Sequence, residues 1–152
     1  MSYLLDTNVV AEVRKRTADP NVRAWFASVP GSALYLSVLV LGEIRRGVER
    51  LRRRDPAQSE VLERWLGTLV RDFRDRIVPI TPDVADEWGR MNVPDRLPAV
   101  DGLQAATAKV RGWTLVTRNT ADVARTGVRL LDPWAPRSIW RGSEPDKTTP
   151  TT

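Results

Sequence analysis

Apolar residues recur along this chain in two alternating periods, and turn-forming residues mark each change of period. Ser2 to Leu5 is a short apolar run that reads as a buried strand, and Asp6 or Thr7 behind it can cap a helix reaching about Val13. Asp19-Pro20 opens a second helix to about Ser28, because the fixed φ of proline suits a first turn, and Val29-Pro30-Gly31 breaks it. Leu34 to Leu36 predicts a second strand. From Ser37, a good N-cap, Val40, Ile44, Val48 and Leu51 recur at helical spacing until Asp55-Pro56 interrupts them. A further amphipathic helix is expected from Pro56 to Phe73, with Val61, Leu62, Trp65, Leu69 and Phe73 on its apolar side.

The second half keeps the same rhythm. Ile77 to Ile80 predicts a short strand, Pro82 to about Met91 a helix, and Val93 to Pro98 a loop. A helix from about Ala99 to Arg111 should stop at Gly112, where a left-handed C′ residue is expected. Thr114 to Thr117 then reads as a strand, Thr120 to about Ala124 as a helical turn, and Val128 to Leu131 as the last strand. Strands alternating with helices imply an α/β fold with a central parallel sheet and helices on both faces. Beyond Asp132 the chain turns to proline, serine, threonine and charge without a packing period. We therefore expect one domain over residues 1–134 and a Pro-rich tail over 135–152, disordered from about residue 142. In that stretch Trp134, Ile139 and Trp140 are apolar enough to dock on the domain or on a partner.

Composition narrows the chemistry. The 152 residues include neither His nor Cys, which removes imidazole and thiolate catalysis and the usual zinc ligands. No stretch approaches the roughly 20 apolar residues of a membrane span, and the first six residues do not resemble an export leader. A soluble, cytoplasmic protein is the expectation. The net charge is +5, and of 24 basic residues only Lys15, Lys109 and Lys147 are not arginine. Arginine's planar fork suits phosphate oxygens, so nucleic acid is the natural suspicion. Its densest run, Arg45, Arg46, Arg50, Arg52, Arg53 and Arg54, follows directly on Glu43.

Four carboxylates fall where a parallel sheet gathers ligands, beyond the carboxyl ends of its strands or on the helices behind them: Asp6, Glu43, Asp101 and Asp122. As a set they read as a magnesium site. Each also has an ordinary reading, as a helix cap, a solvated helix residue, a first-turn dipole partner and a surface charge. Glu43 and Asp101 fit the ordinary reading least, because Gly42, Gly47, Gly102 and Ala105 beside them leave room for a close backbone or a ligand.

These residues resemble a known family. Tyr3-Leu4-Leu5-Asp6-Thr7-Asn8, Leu41-Gly42-Glu43-Ile44-Arg45-Arg46-Gly47, Asp101 to Ala108 and Val116-Thr117-Arg118-Asn119, in that order, are similar to PIN-domain ribonucleases of the VapC toxin type, and more closely to the FitB-like branch. The similarity covers about residues 2 to 134. It implies a three-layer α/β/α domain, RNA cleavage dependent on Mg²⁺ or Mn²⁺, a homodimer, and control by a cognate VapB-like antitoxin. On this resemblance Asp6, Glu43 and Asp101 match the acidic triad. The fourth position is open between Asn119, where many members carry an acid, and Asp122 three residues on; Asp122 is the preferred acid, with Asn119 behind it. Thr7, Asn8 and Thr117 become partners of the carboxylates or their waters, and Arg45, Arg46 and Arg118 candidate contacts to RNA phosphates. Two alternatives stand beside it. One is a haloacid-dehalogenase-like phosphohydrolase, disfavoured because position 8 is Asn rather than Asp; the other is a catalytically degenerate PIN-like RNA-binding module.

Overall fold

The computed structural model describes residues 1–136, and Ile139 and Trp140 lie outside the described residues. Five parallel strands form one sheet: β1 (Tyr3–Leu5), β2 (Leu34–Ser37), β3 (Ile77–Val78), β4 (Thr114–Val116) and β5 (Arg129–Leu131), in the order β3-β2-β1-β4-β5. The registers Tyr3↔Leu34, Leu5↔Val116 and Val116↔Leu131 align the strand ends, so that Ser37, Asp6 and Thr117 emerge along one rim. The chain moves outward from β1 to β3 and then returns to the other side of β1. The order therefore reverses between β1 and β4, which is where such sheets open a crevice.

Seven helices flank the sheet among the described residues: α1 (Thr7–Arg14), α2 (Pro20–Ser28), α3 (Val38–Arg52), α4 (Pro56–Asp72), α5 (Pro82–Met91), α6 (Ala99–Arg111) and the single turn α7 (Thr120–Val123). Their starts follow the local rules. Asp6, Asp19, Ser37, Asp55 and Thr81 each accept a hydrogen bond from a first-turn amide, and Pro occupies the first position of α2, α4 and α5. Helix α6 ends at Gly112 with φ of 69°, a conformation that glycine adopts without steric cost.

Alternating strand residues feed two cores. Leu4 and Leu115 join Val84, Met91, Ala105, Ala106 and Ala108 under α5 and α6. Leu5, Leu34, Leu36 and Val116 join Val9, Val10, Trp25, Val40, Ile44, Leu66 and Leu69 under α1 to α4. The result is the expected three-layer α/β/α architecture. Alanines at 105, 106 and 108, all fully buried, present only methyl groups from α6 to this core. At Gly102 an added Cβ would lie 3.1 Å from Leu97 Cβ and 3.3 Å from the Trp88 ring, so any larger residue would have to push these side chains aside where α6 starts against α5.

Several local expectations are corrected. β3 stops at Val78, because Pro79 has no amide to continue the ladder. Val61 is 41% exposed rather than on the apolar side of α4; the buried line runs through Leu66 and Leu69, about a third of a turn away. Nothing closely approaches Gly42, and the Cβ position of Gly47 is an ordinary 3.9 Å from Leu62, so of the small neighbours of the acids only Gly102 marks a tight approach among these glycines.

Candidate acidic active site

The site begins at the end of β1. The Asp6 amide donates to the carbonyl of Val116 (2.9 Å), which ties the residue following β1 to the end of β4. The Asp6 side chain then turns back to cap α1. It is only 5% exposed, and its charge is met by three donors: the Thr7 amide (2.7 Å) and the Gln104 side-chain amide (3.0 Å) on Oδ1, and the Thr117 hydroxyl (2.8 Å) on Oδ2. Thr117 in turn accepts from the Asn119 amide at 3.0 Å. The hydroxyl of Thr7 donates to Oε1 of Glu43 at 2.6 Å, tying α3 to the first turn of α1.

A cleft of about 400 Å³ opens beside these groups, lined by Asp6, Thr7, Asn8, Glu43, Pro98 to Asp101 and Asn119. The switch point of the sheet thus collects Asp6 from β1, Glu43 from α3 and Asp101 from the first turn of α6. Burial pushes the Asp101 carboxyl up to about 6 from its usual 3.8, and the negative charges of Asp6, Asp122 and Glu43 push it in the same direction. Asp122 itself is exposed on α7 and does not line the cleft; it acts on Asp101 through its field. Asn119 does line it. Among the described residues no three acids are drawn together tightly enough to hold an ion unaided.

The candidate arginines separate. Arg45, expected at a phosphate, instead pairs with Glu63 of α4 at 2.8 Å and with Glu49 at 3.4 Å, and Arg52 joins the same pair of glutamates. Helical geometry explains this: a residue two positions after Glu43 points to the opposite side of α3. Arg46, three positions on, shares the Glu43 side and is exposed. Arg118 is exposed and stacks over the Trp134 ring, 5.1 Å from its centre. Trp134 packs on the α1 to α4 core, and its carbonyl accepts from the Asn21 side chain at 2.9 Å.

Sequence reasoning missed Gln104. It lies one helical turn after Asp101 and is 1% exposed, with its amide on Asp6. A polar amide inside a run of small apolar helix residues was the available signal.

A five-stranded parallel sheet with acids at its switch point, covered by helices on both faces, is the PIN-like architecture, and residues 3–128 match the PIN domain family model. The chain belongs to the PIN-domain family. It is 31% identical over 136 residues to Toxin FitB of Neisseria gonorrhoeae, covering 86% of this chain and 97% of that one. It is 28% identical over 141 residues to VapC ribonuclease Y4jK of Sinorhizobium fredii, covering 88% and 98% respectively. The crystal structure of FitAcB from Neisseria gonorrhoeae superposes with a TM-score of 0.80 at 31% identity, over 87% of this chain and 98% of that one. Among the described residues no helix is long and apolar enough to cross a membrane.

Proposed function

We propose that this chain is a divalent-metal-dependent endoribonuclease and the toxin of a toxin-antitoxin pair. One observation carries the reading: Asp6, Glu43 and Asp101 face a single cleft at the switch point, and the charges acting most strongly on Asp101 are all negative. Such a cleft calls for a cation. The residues fit a hard one, because every candidate donor lining the cleft is oxygen. Asp6 and Asp101 would hold the metal, with Glu43 and either Asn119 or Asp122 completing the set directly or through water. Mg²⁺ keeps several waters and takes one or two carboxylates, so Asp6 and Asp101 would serve as its direct protein ligands. When bound, the cation supplies an acidified water and offsets charge at the phosphorus.

The protein's own groups do the remaining work. Thr117, Gln104 and the Thr7 amide hold the Asp6 carboxylate in place. Thr7 orients Glu43, while Asn8 stands exposed at the cleft mouth. Arg46 and Arg118, both exposed, would meet RNA phosphates. The similarity to Toxin FitB and to a VapC ribonuclease supports both the activity and a cognate VapB-like antitoxin, with a homodimer as the working unit. We take residues 1–134 as the nuclease domain, since Trp134 is the last of the described residues packed on the core. Family membership supports the nuclease reading over the phosphohydrolase alternative.

The test is cleavage of single-stranded RNA with Mg²⁺ or Mn²⁺ against EDTA, with a phosphomonoester as a parallel substrate. Asp6→Asn and Asp101→Asn should abolish cleavage, and Glu43→Gln should cripple it. Asp6→Asn keeps its fold, because the Thr117 hydroxyl can reverse to accept from the new amide. RNA that is bound but never cut by wild type would favour the degenerate binding module, and turnover of the phosphomonoester alone would overturn the nuclease reading.

A further inference from the structure

Gln104 is an expensive residue to place where it is. Its side chain is buried, its amide nitrogen makes one hydrogen bond to Asp6, and its oxygen makes none. The small gap beside it, lined by Asp6, Asp101, Thr117 and Asn119, has no room for a water that could satisfy that oxygen. A buried polar group left half unpaired destabilises a fold relative to an apolar side chain of the same size. Its presence is therefore explained by what its one donor does to Asp6.

A carboxylate offers about four lone-pair positions, two on each oxygen. On Asp6 both positions of Oδ1 are taken, by the Thr7 amide at 2.7 Å and by Gln104 at 3.0 Å. Oδ2 carries only the Thr117 hydroxyl at 2.8 Å, which leaves one lone pair open. Without Gln104, both oxygens would have a free position and Asp6 could grip a cation with two oxygens.

We propose that Gln104 is a positioning residue that makes Asp6 a one-oxygen ligand and so biases the cleft toward a small octahedral cation over Ca²⁺. This rests on the metal-dependent reading above. Mg²⁺ demands near-ideal octahedral geometry with few protein oxygens, whereas Ca²⁺ takes six to eight oxygens and accepts two-oxygen carboxylates. Thr117 and the Thr7 amide constrain Asp6 in every related variant, so the difference made by Gln104 can be read separately.

The experiment is calorimetric titration of the metal-free full chain with MgCl₂ and, separately, with CaCl₂, for wild type and Gln104→Met. Methionine keeps the length and volume of the side chain and removes the donor. Gln104→Asn, whose amide stops one methylene short of Asp6, is the second variant. Both should weaken Mg²⁺ binding by about tenfold or more, the usual effect of removing a group that orients a ligand. Both should also raise Ca²⁺ affinity outright, because Asp6 gains a second free oxygen; general loosening of the fold would shift the ratio toward the more tolerant Ca²⁺ but lower the affinity for both ions. Unchanged or lowered Ca²⁺ affinity in a folded variant overturns the proposal. So does failure of both variants to fold in EDTA, since the residue would then serve the fold. If wild type binds neither cation, the metal-dependent reading itself falls, which is a separate result from an unchanged or lowered Ca²⁺ affinity.

Discussion

Replacing Asp101 by Asn should stabilise the metal-free protein, and by an amount the structure lets one work out. The carboxyl is pushed up to about 6 in the folded chain against the usual 3.8, by burial first and then by Asp6, Asp122 and Glu43. Between those two values the folded protein holds a proton that the unfolded chain has released. Its stability therefore falls as pH rises from about 4 to about 6 and stays lower above that. The displacement corresponds to at most about 3 kcal/mol at about 1.4 kcal/mol per pH unit. Solvent in the open cleft screens part of this, and the first turn of α6 offsets a further 0.3–1 kcal/mol by favouring a carboxylate. About 1 kcal/mol should remain, or a rise in Tm of about 2–4 °C for a domain of this size. The assay is thermal melting of wild type and Asp101→Asn in EDTA across pH 4 to 8. The gap should open between pH 4 and 6 and hold constant above. Glu12, Glu63 and Glu87, whose carboxyls are lowered by Lys15, Arg45 and Lys109, impose the opposite pH trend, but equally on both proteins. Several millimolar Mg²⁺ should then raise the Tm of wild type much more than that of the variant, because only a native-state ligand stabilises by mass action. Equal pH profiles and equal responses to Mg²⁺ would refute the cluster and return Asp101 to the role of an ordinary first-turn acid.

Other outcomes follow from the same geometry. Arg46→Ala should weaken RNA binding and reduce the logarithmic salt slope by roughly 0.7 per lost phosphate contact on a single strand; Arg45→Ala should leave the slope unchanged, since Arg45 is already paired with Glu63. A salt-dependence series on both variants decides it. Asp122→Asn should bring the Asp101 carboxyl down toward its ordinary range, followed by carboxyl NMR, because Asp122 is the second of the charges raising it; no movement would remove Asp122 from the site. Gly42→Ala should stabilise by up to about 1 kcal/mol, as an open helix position should. Gly102→Ala should instead destabilise despite the same helical gain, because the new methyl meets Leu97 and Trp88 and overpacking costs about 1–3 kcal/mol. Denaturant melts of both should move in opposite directions.

What the sequence determined was whatever is decided within a few residues. Asp19-Pro20, Ser37, Asp55-Pro56 and Thr81-Pro82 cap the next turn, and Gly112 ends α6, through contacts that span at most four positions. For that reason the start of each of those helices was legible, and so was the alternation that makes the sheet parallel. The order of the acidic motifs was legible too, because Asp6 and Thr117-Arg118-Asn119 sit at strand ends whatever the pairing. Only tertiary structure decided which strands are neighbours, and hence that the reversal between β1 and β4 brings Asp6 beside Thr117. It also decided that Arg45 is spent on Glu63, a residue of the next helix, and that Val61 faces water. Gln104 shows the reason most plainly. A polar amide among small apolar helix residues marks the position, but its role depends on a carboxylate 98 positions away in the chain, an encounter that no sequence window contains.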